Sequence, residues 1–145
     1  MFIEGNRRRK RRPAGTRRGT AAVEFALLLP LLAFLLVVGI DFARVFYYSL
    51  TLWNCARQGA LYASDPVAAA QSPYTSITQA ALADAGGITP APTVSSTSGV
   101  DSAKNPYVQV TVQWTFSTIT NYPGVGDNFP LTRTIQVRVA PTVPN

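Results

Sequence analysis

The sequence has no histidine and only one cysteine, Cys55, among its 145 residues. Without histidine it can form neither a Ser-His-Asp nor a Cys-His catalytic unit. A zinc site is disfavoured because its usual ligands are missing. One cysteine cannot form a disulfide within the chain. We therefore expect Cys55 to pack as a small apolar residue, with pairing between subunits as the alternative.

Acidic residues are also few, and they do not cluster. Asp65, Asp84, Asp101 and Asp127 stand alone in predicted loops or at helix ends, where helix capping and turn formation explain them. The sequence contains no phosphate-binding loop and no catalytic spacing of carboxylates. We therefore expect the protein not to be an enzyme, and expect no metal, no cofactor and no small-molecule substrate.

Basic residues are concentrated at the N-terminus. Eight of the thirteen lysines and arginines are Arg7, Arg8, Arg9, Lys10, Arg11, Arg12, Arg17 and Arg18, whereas residues 19–145 are nearly neutral. A nucleic-acid partner is not expected, because no basic or aromatic surface that could read bases follows this run. Beside an apolar segment, such charges hold the N-terminus in the cytoplasm and contact anionic lipid. Residues 1–19 are thus predicted to be a basic cytoplasmic leader.

A long apolar segment follows the leader. Between Arg18 and Asp41 the only charged residue is Glu24. About 20 apolar residues suffice to cross the hydrocarbon core of a bilayer. The sequence therefore predicts a single transmembrane helix at about residues 21–40 in the inner membrane, with the rest of the chain extracytoplasmic. A cleaved secretory signal is the alternative, but no suitable cleavage site follows the apolar run.

The helix is expected to extend well beyond the membrane, over residues 20–63. Pro30 should kink it, because proline removes one backbone hydrogen bond and crowds the preceding turn. Asp41 and Arg44 are three residues apart and can form an ion pair on one face. Asp65 and the proline that follows it are expected to end the helix.

Residues 64–145 are predicted to form a small α+β domain outside the membrane. A helix should begin near Ser72, and a weak strand is expected at residues 93–100. The regions 107–118 and 131–139 alternate apolar and polar residues, which is typical of half-buried antiparallel strands. We expect these two strands to form a hairpin covered by the outer half of the long helix. The predicted fold class is α+β and pilin-like.

The ordered set of a basic leader, Gly19, Glu24 five residues later and an apolar helix resembles the type IV pilin class. A closer resemblance is to the TadE-like family, the pseudopilins of tight-adherence (Tad/Flp) pili, and it covers residues 17–63. Its opening is similar to Arg18–Pro30, and its second block is similar to Gly39–Arg44.

This resemblance implies that a prepilin peptidase cuts after Gly19 and that Thr20 becomes the new N-terminus. It also implies that Glu24 pairs with such an N-terminal ammonium on an adjacent subunit. Two alternatives stay open: Glu24 pairs with Arg17 or Arg18 near the headgroups, or it is protonated.

The function expected from the resemblance is that of a membrane-anchored minor pseudopilin. Such a protein takes part in assembling a Tad/Flp-type pilus or a related secretion apparatus, and can itself enter the pilus. Its expected partners are other pilin or pseudopilin subunits, a prepilin peptidase and the lipid bilayer. The alternative is a single-span anchor that presents a small β domain for adhesion or envelope binding without filament assembly.

Overall fold

The computed structural model describes residues 17–120, 122 and 126–141, without the side chains of residues 17 and 18. Its helices are α1 (Arg17–Ser64), α2 (Pro66–Ala70) and α3 (Ile77–Leu82), and its strands are β1 (Thr93–Val100), β2 (Pro106–Ser117) and β3 (Asn128–Arg138). The chain divides into two compact units, Met1–Leu36 and Val37–Asn145, so α1 begins in the first unit and ends in the second. A long apolar helix followed by a small antiparallel sheet confirms the α+β class.

The part of α1 in the first unit is apolar on all sides. Its exposed large side chains are Val23, Phe25, Leu27, Leu28, Leu29, Leu31, Leu32, Phe34, Leu35 and Leu36. A helix that is apolar all round belongs in a membrane or among other helices. Within the described residues, Gly19–Ser64 is the one helix that is long and apolar enough to span a membrane. The helix continues through Pro30, and the kink there stays a prediction.

In the second unit, α1 supplies one side of the hydrophobic core. The core combines Leu52, Cys55, Ala56 and Ala60 of α1 with Ala85 and with Val108, Val110 and Val112 of β2. Four of these, at 52, 55, 56 and 60, recur at three- and four-residue steps, which puts them on one helix face. The outer half of the helix therefore covers the sheet, as the sequence predicts. Cys55 is fully buried, and this burial raises the pKa of its thiol.

Gly59 allows α1 to pack closely against its neighbours. A Cβ atom at this position would lie 3.0 Å from the Cβ of Ala81 in α3 and 3.2 Å from Cγ1 of Val110 in β2. Few real Cβ contacts are this short. Glycine is therefore the residue that lets the helix, α3 and the sheet meet at this point.

The sheet has the order β1–β2–β3, and both strand pairs are antiparallel. The alternation in β2 places Val108, Val110, Val112 and Phe116 in the interior. The hairpin predicted from the two alternating regions is present, with Val110 opposite Ile135. Both strands differ slightly from the expected bounds, because β2 begins at Pro106 and β3 begins already at Asn128.

The predicted helix start near Ser72 is wrong. The hydroxyl of Ser72 accepts a hydrogen bond from the amide of Tyr74 in a turn, whereas Ser76 caps α3 by accepting from the amide of Gln79. Serine favours turns and helix caps alike, so the sequence alone does not separate the two sites. The short helix α2 was not predicted. Asp65 ends α1 and also caps α2, because its carboxylate accepts from the next helix's first amides.

Candidate functional site

The residues predicted for processing and assembly lie in the first turns of α1. Gly19, Thr20 and Glu24 are all helical, and all three are exposed within the chain. A Cβ atom at Gly19 would meet no other atom within 4 Å. Thr20 and Glu24 are four residues apart, so they lie on one helix face. The side chain of Glu24 is therefore presented on the exposed surface of α1.

The basic side chains predicted to set the membrane orientation lie outside the part of the chain that the structure describes. Arg7, Arg8, Arg9, Lys10, Arg11 and Arg12 precede the described residues, and the side chains of Arg17 and Arg18 are not described. Pairing of Glu24 with Arg17 or Arg18, and the orientation that the basic run would set, remain predictions.

A second candidate site surrounds Asp41 in the second unit. Nη1 of Arg44 donates to Oδ1 of Asp41 at 2.7 Å. The amide of Ile119 donates to both carboxylate oxygens, at 3.1 and 3.0 Å, and the hydroxyl of Tyr122 donates to Oδ2 at 2.9 Å. We call Asp41, Arg44, Ile119 and Tyr122 the Asp41 cluster. It fastens α1 to the segment that follows β2.

The Asp41 carboxylate is buried, with 5% of the residue's surface exposed. Burial alone would raise its pKa, but the hydrogen bonds from Tyr122, Ile119 and Arg44, together with the positive charge of Arg44, lower the pKa below its usual value. The guanidinium of Arg44 also lies 4.9 Å from the ring centroid of Phe116. A cation over an aromatic face is favourable. Arg44 thus contacts both the carboxylate of Asp41 and a buried aromatic ring of the hydrophobic core.

Asp41→Asn is expected to weaken the attachment of the segment after β2 to α1. The amide keeps one acceptor oxygen for Ile119 but loses the ion pair with Arg44. Because the pKa of Asp41 is lowered in the folded protein, its charge stabilises the fold above the ordinary aspartate pKa of about 3.9. That stabilisation is lost as the pH falls through the lowered pKa. The measurement is hydrogen exchange at the Ile119 amide, corrected for the intrinsic exchange rate.

Near neutral pH, this amide should exchange several-fold faster in the Asp41→Asn variant than in wild type. Wild type should lose protection in acid, whereas the variant should lack that acid-dependent step. Asp127→Asn is the control because Asp127 is exposed. Equal protection in wild type and Asp41→Asn at neutral pH would contradict the anchoring role.

Sequence reasoning finds only half of the Asp41 cluster. Asp41 and Arg44 are close in sequence, but Ile119 and Tyr122 are 78 and 81 residues from Asp41. Neither has a periodicity or motif that points to the helix. Within the described residues, no group of three or more His, Cys, Asp or Glu side chains could hold a metal ion. At the Asp41 cluster the structure shows an ion pair and hydrogen bonds, whereas pairing of Glu24 stays a prediction.

The comparison with known families finds a match for part of α1 and none for the sheet. Residues 19–61 match the model of a family described as TadE-like protein. No curated protein and no solved structure matches the chain. The matched residues begin at Gly19, include Glu24 and the Asp41–Arg44 pair, and end within α1. Residues 19–61 of the N-terminal helix are therefore similar to the TadE-like family, which confirms the resemblance found in the sequence.

Proposed function

We propose that this protein is a membrane-anchored minor pseudopilin that takes part in assembling a Tad/Flp-type pilus or a related secretion apparatus. Its basic N-terminus would lie in the cytoplasm, and its sheet domain would lie outside the inner membrane. The observation that carries the proposal is the TadE-like match, because the matched residues 19–61 contain Gly19, Thr20 and Glu24 together with the apolar helix.

The exposed surface of α1 supports association with other helices. The segment from Val23 to Leu36 has apolar side chains on all sides. In the membrane, lipid shields these side chains from water, and outside the membrane neighbouring helices must shield them. A subunit leaving the membrane for a filament would exchange its lipid neighbours for copies of such a helix.

A charge pair at Glu24 would fix how far neighbouring helices are shifted along their axes. Cleavage after Gly19 would leave an ammonium on Thr20, one turn before Glu24 on the same face. If a neighbouring helix is displaced along the axis by four residues, about 6 Å, the carboxylate of one subunit meets the ammonium of the next. Opposite charges offset part of each other's desolvation, whereas an unpaired charge in an apolar bundle is penalised.

The alternative is an anchor that displays the sheet for adhesion or envelope binding. The outer face of the sheet favours it, since this face is polar and carries the hydroxyls of Thr111 and Thr134, 2.9 Å apart. Such a surface can donate and accept hydrogen bonds. This function needs the membrane span but does not need Glu24.

The Glu24→Ala variant separates the two functions. Loss of assembly with normal membrane insertion would support the pseudopilin. Unchanged association with its partners would support the display of the sheet without filament assembly.

A further inference from the structure

An apolar groove lies beside α1 in the second unit, directly after the predicted membrane span. Its lining is Phe42, Val45, Phe46, Ser49, Leu50, Trp53 and Arg133, and its volume is about 400 Å³. Phe42 and Phe46 are the most exposed of its apolar residues, at 74% and 61%. Within the described part of the chain, the groove is therefore open and largely uncovered. We call these seven residues the Arg133 groove.

Arg133 is the one charged residue in the lining of the Arg133 groove. Its Nη2 donates to Oγ of Ser49 at 2.9 Å, and its Nη1 donates to the carbonyl of Thr132 at 3.0 Å. Both acceptors are neutral. The ion pairs between described residues are Arg44–Asp41 and Arg138–Asp101, so Arg133 has no carboxylate partner among them. The hydrogen bonds hold a half-buried guanidinium beside apolar side chains, which favours an anionic occupant.

The order of the groove residues along α1 matches the order of groups in a phospholipid. Phe42 comes two residues after Ile40, where the predicted span ends. Ser49, which holds Arg133, follows seven residues later, roughly 10 Å along the helix. Apolar surface therefore comes first and the cation follows, which is the order of acyl chain and phosphate in an outer-leaflet lipid. Ser49 lies about 14 Å beyond Ile40, and the headgroup layer is about 5–8 Å thick, so a lipid bound here is drawn partly out of the bilayer. Beyond them, the guanidinium of Arg57 lies 5.9 Å from the ring centroid of Trp53 and adds positive charge.

We propose that the Arg133 groove binds one anionic phospholipid. Its phosphate is held by the guanidinium of Arg133, and its acyl chain lies against Phe42 and Phe46. Guanidinium groups pair well with phosphate because their planar N–H donors match two oxygens. The charge of Arg133 selects anionic over zwitterionic lipid, since basic residues at a membrane surface favour anionic headgroups. This inference rests on membrane anchoring and not on assembly.

Native mass spectrometry tests the proposal. The full chain is released from bilayer discs that contain equal amounts of phosphatidylglycerol and phosphatidylcholine, and the lipid retained per chain is counted. Wild type should retain one phosphatidylglycerol in preference to phosphatidylcholine. Arg133→Gln should reduce this preference about fivefold. Arg138→Gln is the matched control on the same strand, because Arg138 is paired with Asp101 and does not line the groove.

Fluorescence gives a second readout that does not depend on Arg133. In a Trp114→Phe background, Trp53 is the remaining tryptophan of the chain. Phosphatidylglycerol brominated on its acyl chain should quench Trp53, and Phe46→Ala should weaken the quenching. Equal retention of both lipids by wild type, an unchanged preference in Arg133→Gln, or an unquenched Trp53 would overturn the proposal.

A second copy of the chain in the groove would also overturn it, and would be seen as a dimer without bound lipid. Glu24→Ala should bind the lipid as wild type does. Failure of assembly and failure of lipid binding are therefore distinguishable.

Discussion

Glu24→Ala is expected to insert into the membrane at least as well as wild type and to be lost from the assembled filament or apparatus. A carboxylate at the centre of a bilayer costs about 2.5–3.5 kcal/mol on insertion scales, and less near the interface. Removing it therefore cannot hinder insertion. In the assembled bundle, the same change would leave the ammonium of a neighbouring Thr20 without its partner. Breaking a buried ion pair from one side costs about 3–5 kcal/mol, which corresponds to a hundredfold or greater loss of association.

The control variants separate charge from shape at this position. Glu24→Gln keeps the size of the side chain and removes the charge, so it should fail in assembly almost as severely as Glu24→Ala. Glu24→Asp keeps the charge on a side chain shorter by one methylene. This variant should still co-purify in part with pilin-class subunits. The readouts are membrane fractionation for insertion and co-purification with pilin-class subunits for assembly. Normal co-purification of Glu24→Gln would contradict the charge-pairing role and favour a protonated Glu24.

Phe116→Ala is expected to have the largest effect on the stability of the sheet domain. Phe116 is fully buried, and its ring centroid lies 6.0 Å from that of Tyr48 on α1 and 6.4 Å from that of Trp114. Phenylalanine-to-alanine changes in cores typically cost about 3–5 kcal/mol. A small domain has a free energy of unfolding of only about 5–15 kcal/mol. The variant should therefore unfold at a much lower denaturant concentration.

The measurement is denaturant unfolding of the full chain in detergent, followed by hydrogen exchange of the β2 amides. Thr115→Ala is the control, because Thr115 is the preceding residue and is exposed. Its free energy of unfolding should stay within about 0.5 kcal/mol of wild type. A similarly small loss in Phe116→Ala would show that this ring does not support the contact between α1 and the sheet.

The parts of the fold that sequence predicts well are those with a regular period. The apolar run before Asp41 predicts the long helix, because in lipid a single segment can hydrogen-bond all of its backbone N–H and C=O groups only as a helix. The alternation of valines in β2 predicts a strand with one buried face, and the structure places Val110 and Val112 in the core. Both signals come from residues that are adjacent in sequence, where the geometry of the backbone alone sets the spacing.

The parts that sequence does not predict depend on residues far apart in the chain. The link from Asp41 to Ile119 joins positions 78 residues apart, and Ile119 takes part through its backbone amide, which every non-proline residue has. Arg133 has the same parity in β3 as Ile135 and Val137, so the alternation puts it on the helix-facing side. The sequence still gives no sign that it donates to Ser49, 84 residues earlier in the chain. Tertiary packing decides such contacts, and a single sequence carries no periodic trace of them.

Pairing between Glu24 and a neighbouring Thr20 depends on the ammonium that a cut after Gly19 would create. Intact-mass spectrometry of the protein extracted from its native membrane detects whether this cut occurs. The pairing requires a mature chain that begins at Thr20 and is detected without residues 1–19. A chain that retains residues 1–19 would contradict it, because Thr20 would then carry an amide and no charge.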